Sequence, residues 1–224
     1  MNLFNYKKKS KVAYTFWGGE EARALFKPPE IINSKPAGCP AMYGIRDRLV
    51  GLYPPMSIDL TIYNDGELRY EYELNQKEHT AKPDMHTFVK NNILLEQAAE
   101  NLYDVQLFLN ICFITDDPEL ELITLPPHKM KTKNADYVQG MFVPYSWVRP
   151  LNSVWYVDDG SKVRFDVNEP ATFVFFNKPI ELEYRPNEGK IKEFIKETKN
   201  ITSYKKGTTK VFPHVLSRRP KKLL

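Results

Sequence analysis

The feature that most constrains this chain is the stretch 139–178, QGMFVPYSWVRPLNSVWYVDDGSKVRFDVNEPATFVFFNK. It holds two of the three tryptophans and runs of β-branched and aromatic residues, the composition of strands. Asp158-Asp159-Gly160 lies in its middle and Asn168-Glu169-Pro170 lies before residues 171–176. Both tripeptides are turn-formers, so the stretch predicts strand, turn, strand, turn, strand. The whole chain has 17 prolines but only 10 glycines in 224 residues. Average usage is about 5% Pro and 7% Gly, and proline suits edges and corners rather than helix interiors. Short strands with rigid connections follow. The expected class is mainly β (α+β): an antiparallel β-sandwich or β-clip-like core with a few short helices and basic terminal tails.

Earlier parts of the chain agree. Residues 12–17 alternate as a strand, and Gly18-Gly19 ends it. Residues 20–26 have helical composition, with acids in the first turn where the helix dipole favours them. Residues 41–49 read as a short helix with Met42, Ile45 and Leu49 on one face. The clearest hairpin joins residues 58–63 to 67–74 through Asn64-Asp65-Gly66. Its second strand alternates Leu68, Tyr70, Tyr72 and Leu74 with Glu67, Arg69, Glu71 and Glu73, one face apolar and one wet.

Further on, residues 92–103 read as a helix, and residues 107–115 as one strand buried on both faces. Residues 119–125 alternate again, and residues 129–137 read as a polar loop. Residues 180–184 add a strand. Asn187 is placed to cap a helix over residues 188–199, whose Ile191, Phe194 and Ile195 form a single stripe.

Charge divides the chain into three parts. Residues 1–11 carry Lys7, Lys8, Lys9 and Lys11 without an acid. Residues 205–224 carry Lys205, Lys206, Lys210, Arg218, Arg219, Lys221 and Lys222, again without an acid. The body between, residues 12–204, keeps 21 basic and 28 acidic residues, a net charge of −7. It reads as a single β-rich domain flanked by basic tails. Such tails suit phosphates or an acidic neighbouring subunit, and those eleven cations are the candidate contacts to a partner or to nucleic acid.

Cys39 and Cys112 belong to no paired motif, which predicts buried thiols in a reducing compartment. The N-terminal residues lack a signal-peptide pattern, and no apolar run is long enough to span a bilayer. The four histidines, His79, His86, His128 and His214, form no H-x-H pair, so surface or hydrogen-bonded roles are expected of them and no metal or cofactor is assigned. Gly18-Gly19 is not followed in P-loop spacing by Lys-Ser or Lys-Thr, and no G-x-S-x-G elbow occurs. Asp116-Asp117 and Asp158-Asp159 fit turn chemistry. No catalytic residue is assigned. The aromatic set Tyr145, Trp147 and Trp155, with His128, is the candidate pocket; aromatics at this spacing otherwise pack between sheets.

Several short motifs recur in a familiar order. Pro29 precedes Ser34-Lys35-Pro36-Ala37-Gly38-Cys39-Pro40, and a strand start spans residues 53–59. Pro126-Pro127, the Gly-hydrophobic segment 140–143 and a V-x-F-x-x-x-E-P strand at residues 163–170 follow. This order resembles a protein family of tailed-phage genomes, cyanobacterial phages among them. The resemblance spans about residues 12–185. It implies a phage origin, with residence in the host cytoplasm or the virion, and no particular activity.

The second half also resembles the β-clip layout of dUTP pyrophosphatases. That family's G-V-I-D-x-D-Y segment aligns with residues 140–146, where Val143 and Tyr145 replace both aspartates. The glycine of its G-D-R-I-A-Q motif falls on Asn168, and the glutamine is absent. Without a carboxylate to polarise water, that chemistry lacks its base. The first expectation is therefore a non-enzymatic structural, assembly or interaction protein, with another phage protein or a second copy as partner. The alternatives are a degenerate dUTP pyrophosphatase-like nucleotide-binding or hydrolysing enzyme and a cupin-like metal-dependent enzyme.

Overall fold

The computed structural model describes residues 9–32, 44–64, 67–74, 85–99, 102–127, 133–201, 219–220 and 222–224. Among these, strands hold 48% of residues, and the class is mainly β, with curled antiparallel sheets in a sandwich-like α+β arrangement.

The first sheet has three strands. β1 (Ser10–Phe16) lies between β14 (Ile180–Tyr184), to which it is parallel, and β8 (Ile111–Ile114), to which it is antiparallel. The second has six. β4 (Ile58–Asn64), β5 (Leu68–Leu74), β6 (Ile93–Ala99), β7 (Leu102–Phe108) and β12 (Asn152–Phe165) run in the order β5-β4-β12-β7-β6, and β10 (Lys133–Tyr137) also pairs with β12. The third has five: β2 (Glu30–Ile31), β3 (Leu49–Leu52), β9 (Leu122–Leu125), β11 (Met141–Phe142) and β13 (Thr172–Phe176), in the order β11-β9-β13-β3-β2. Three helices accompany them: α1 (Gly19–Leu25), α2 (Met85–Asn92) and α3 (Gly189–Ile201).

One apolar cluster joins the sheets. Val12, Leu60, Val105, Trp155, Val174 and Phe176 all belong to it, and the Phe113 ring meets Phe176 edge-on at 5.4 Å. A second, smaller cluster holds Ala13, Cys112, Ile114 and Val148 under the α3 stripe of Ile191, Phe194 and Ile195. Leu223 and Leu224 pack against it from the other end of the chain.

The tripeptide Asp158-Asp159-Gly160 does not reverse the chain. It interrupts one 14-residue strand, β12, whose first part pairs with β7 and whose last part pairs with β4. A two-residue type I′ turn needs two left-handed residues, but here only Gly160 has positive φ, at 71°. The excursion is stitched in place instead. Asp158 N–H donates to Ser161 Oγ at 2.8 Å, Ser161 Oγ donates to the Asn134 carbonyl, and Asn64 N–H donates to Asp159 Oδ1 at 2.8 Å.

Four other expectations are corrected. The helix expected over residues 92–103 is the hairpin β6–β7, with Ile93 opposite Leu107 and Leu95 opposite Val105; pairing with β7 overrides the local helical preference of Leu94-Leu95-Glu96-Gln97. The polar loop at 129–137 contains β10, whose residues 135–137 ladder onto residues 155–157 of β12. Leu49 opens β3 rather than closing a helix, although residues 44–45 are helical. Asn187 does not use its side chain as a cap. Its amide donates to the carbonyls of Phe16 and Trp17, tying the start of α3 to the end of β1.

The buried run 107–115 is also two strands in two different sheets, β7 and β8. Asn110, at φ 55°, turns the corner between them, a conformation that asparagine tolerates better than most residues. Its amide also donates to Asn92 Oδ1 at 2.8 Å, holding the end of α2. Asn110→Ala is expected to lower stability by about 2 kcal/mol, from the left-handed backbone and the lost hydrogen bond. Asn110→Gly is expected to recover the backbone part. Urea unfolding of both variants checks this, and equal losses would remove the backbone account.

Candidate interaction surfaces

Period-two alternation builds the first surface. On β4, Ile58, Leu60 and Ile62 point into the core, which leaves Asp59, Thr61 and Tyr63 outside. Register places Asp59 between Glu73 of β5 and Arg164 of β12, and Thr61 between Glu71 and Lys162. The result is an open trough of about 890 Å³ over β5, β4 and β12, acidic toward β5 and basic toward β12. Arg164 Nε lies 3.5 Å from Asp59 Oδ1, and Arg69 Nη1 lies 2.9 Å from Glu71 Oε1. The Arg69 guanidinium also stacks over Tyr63 at 4.7 Å. Tyr70 and Tyr72 stand opposite Ile62 and Leu60 and pack toward the core side of the same strands, their rings 6.2 Å apart. Lys162 has no ion-pair partner among the described residues.

The second surface is a groove at the turn after β8, and it is occupied by the end of the chain. The Arg219 side chain is almost completely buried. Its Nε donates to the Tyr145 carbonyl at 2.7 Å, and its Nη2 donates to the Thr115 carbonyl at 2.6 Å and to Asp116 Oδ1 at 3.0 Å. The guanidinium stacks on the Tyr145 ring at 3.9 Å, and Phe194 of α3 stands 5.8 Å away. Beyond it, the backbone N–H groups of Leu223 and Leu224 both donate to the Asp116 carboxylate, each at 2.9 Å. Burial alone would raise the Asp116 carboxyl. The two N–H donors and the Arg219 guanidinium outweigh it and hold the carboxyl below its usual range.

The neighbouring Asp117 ties other strands. It accepts from Ser10 Oγ at 2.8 Å and from Lys178 Nζ at 3.0 Å, and these bonds hold it too below the usual range against the opposing effect of burial. Asp116-Asp117 is thus a turn, as expected, and also the hub that receives both the first strand and the chain end. Local sequence shows the turn only.

The candidate cations divide. Arg219, assigned to an outside partner, is fully engaged inside its own fold, because a buried guanidinium needs acceptors and finds four within the chain, the Pro220 carbonyl included. Lys9 pairs with Asp47 at 2.8 Å. Lys11 is exposed on β1 in register with Glu181, and Lys222 is exposed. Lys7, Lys8, Lys205, Lys206, Lys210, Arg218 and Lys221 lie outside the described residues, as does His128.

The aromatic set does not converge on one pocket. Trp155 is in the main core, donating Nε1–H to Ser153 Oγ at 3.0 Å and meeting Tyr137 edge-on at 5.2 Å. Trp147 packs on Phe142 and under Arg149, while Tyr145 belongs to the Arg219 groove.

Cys112 is fully buried and burial pushes its thiol up, as expected of an inert core cysteine; Cys39 lies outside the described residues. Among the described residues, no three His, Cys, Asp or Glu side chains gather into a metal-sized group, and no helix is long and apolar enough to cross a membrane. No family model, no curated protein and no solved structure matches this chain.

Proposed function

We propose that this chain is a non-enzymatic interaction or assembly protein, of the tailed-phage kind its motifs resemble, and that it holds a protein partner in the trough over β5, β4 and β12. The observation that carries this reading is the trough itself: open, edged by Tyr63 with Arg69 stacked over it, and ordered into rows of unlike charge. Tyrosine and arginine are favoured at protein interfaces because they bury large area while keeping polar handles. Rows running from Glu73 through Asp59 to Arg164 select a partner by charge register. A polyphosphate backbone fits this face poorly, since Asp59, Glu71 and Glu73 stand beside its two cations Lys162 and Arg164. Two of the tail cations that nucleic acid would use, Lys9 and Arg219, are already paired within the chain.

A photo-crosslinking residue at position 61, in the full chain expressed in its source cells, tests this reading. The expected result is a discrete protein adduct that disappears when Lys162→Glu and Arg164→Glu are combined. A nuclease-sensitive adduct, or an adduct indifferent to that charge reversal, would overturn it. Peptide mass spectrometry of gradient-purified particles then places the complex in the virion or in the host cytoplasm.

A further inference from the structure

The groove after β8 holds residues 219–224 through several distinct contacts. It offers three oxygen acceptors to one guanidinium, an aromatic face beneath it, a carboxylate for two successive backbone N–H groups, and an apolar wall for two leucines. Together they engage Arg219, Leu223 and Leu224 of the segment 219–224. A lysine in place of Arg219 would lose the planar fork and the stack. Nothing in these contacts requires that the peptide belong to the same molecule.

From this we infer that the C-terminal segment is an exchangeable arm, and that the groove formed by Thr115, Asp116, Tyr145 and Phe194 accepts the arm of a second copy of this chain.

The connection between the two seats is long. Ile201 ends α3, and 17 residues separate it from Arg219. At about 3.3–3.6 Å per residue, their extended reach is on the order of 60 Å, roughly the span between neighbouring domains in contact. Seating in cis and in trans makes the same contacts, which is why exchange of an identical element is a low-cost route to assembly. The intramolecular arm competes at an effective concentration set by the length of the connecting segment. Exchange therefore prevails where copies are packed at comparable local concentration. This inference is independent of the trough, which lies on other strands and uses other residues.

Two full-length variants test it by complementation. Arg219→Ala keeps the groove and disables the arm, while Asp116→Asn keeps the arm and weakens the groove. Alone, each is expected to run as a monomer by light scattering coupled to size exclusion. Mixed, they are expected to give a one-to-one species of twice the mass, because the sound arm of one finds the sound groove of the other. A synthetic peptide of residues 219–224 is expected to dissociate that species, and the same peptide carrying Arg219→Ala to bind about tenfold or more weakly.

A mixture that stays monomeric while the peptide binds the Arg219→Ala groove would overturn the inference and leave the arm purely intramolecular. Failure of the peptide to bind would overturn the groove itself. Should Asp116→Asn not fold, energy transfer between two dye-labelled populations of the unaltered chain gives the same decision. Transfer that grows with concentration and vanishes on Arg219→Ala supports exchange, and its absence at millimolar chain overturns it.

Discussion

Replacing Trp155 with alanine is expected to lower folding stability by about 3–5 kcal/mol, the range for large aromatics truncated in a core. For a domain whose total stability is about 5–15 kcal/mol, that is a large share. The side chain is 1% exposed and sits where β12 is paired with both β7 and β10. Its indole N–H donates to Ser153 Oγ, and that hydroxyl donates in turn to the Ala171 carbonyl at 2.9 Å, just before β13 begins. Its ring is also the wall against which Tyr137 of β10 stands, and Tyr137 reaches on to Thr172 Oγ1 at 3.0 Å.

Truncation therefore opens a cavity and removes the edge-on ring contact, worth about 0.5–1.5 kcal/mol by itself. Trp155→Phe keeps much of the volume and loses the N–H, so it is expected to lose less than half as much. Urea unfolding measures both. Amide exchange in β10 is expected to accelerate in the alanine variant before the rest of the sheet. If the phenylalanine variant lost as much as the alanine variant, the hydrogen bond rather than the packing would be the dominant contribution.

The parts of this fold that were legible in the sequence are those in which local pattern and long-range pairing agree. The β4–β5 hairpin announces itself because Leu68, Tyr70 and Tyr72 alternate with Arg69, Glu71 and Glu73, and the sheet has one wet face there. The α3 stripe was visible for the same reason, three apolar residues at helical spacing on an otherwise charged segment. Residues 93–99 misled because their local preference is helical and only β7, later in the chain, makes them a strand. β10 is polar, and most of what holds it is backbone hydrogen bonding, which leaves no mark in composition. Asp158-Asp159-Gly160 has every local sign of a reversal, but β7 and β4 both claim the same long partner strand and hold it as one strand around the bulge.

The trough could be read in outline, since its outward residues are the polar half of the alternation. The Arg219 groove could not. Arg219 and Asp116 are 103 residues apart, and a basic tail reads as solvated until the acceptors that bury its arginine are seen.

Asp116→Ala has the second large expected effect, and its form is diagnostic. Removing one partner of a buried ion pair ordinarily costs about 3–5 kcal/mol, because a charge is left buried without compensation. Here the stranded charge sits on the segment 219–224, whose contacts described above lie in this one groove, so the segment can leave as a unit. The loss is therefore limited to the free energy of seating the arm, and it appears as local opening rather than as global unfolding. The Leu223 and Leu224 amides are expected to exchange roughly 30-fold faster or more, corresponding to about 2 kcal/mol for hydrogen bonds to a charged acceptor. The urea midpoint of the body is expected to move little.

Acid should do reversibly what the substitution does permanently. The seated Asp116 carboxyl is held below its unseated value, so its contribution is complete above the ordinary carboxylate range near pH 4. It is lost as pH falls through the lower, seated value. The groups facing it are the Arg219 guanidinium and two backbone N–H groups; Asp117, next in the chain, is also held low and loses its own contacts in the same window, and the Asp116→Ala variant separates the two. Release of the arm on acidification, followed by exchange of the Leu223 and Leu224 amides, is expected in the native chain and absent in Asp116→Ala, whose arm is already free. An acid-dependent release that persisted in Asp116→Ala would assign the effect to another carboxylate, with the Asp117–Lys178 pair the nearest alternative.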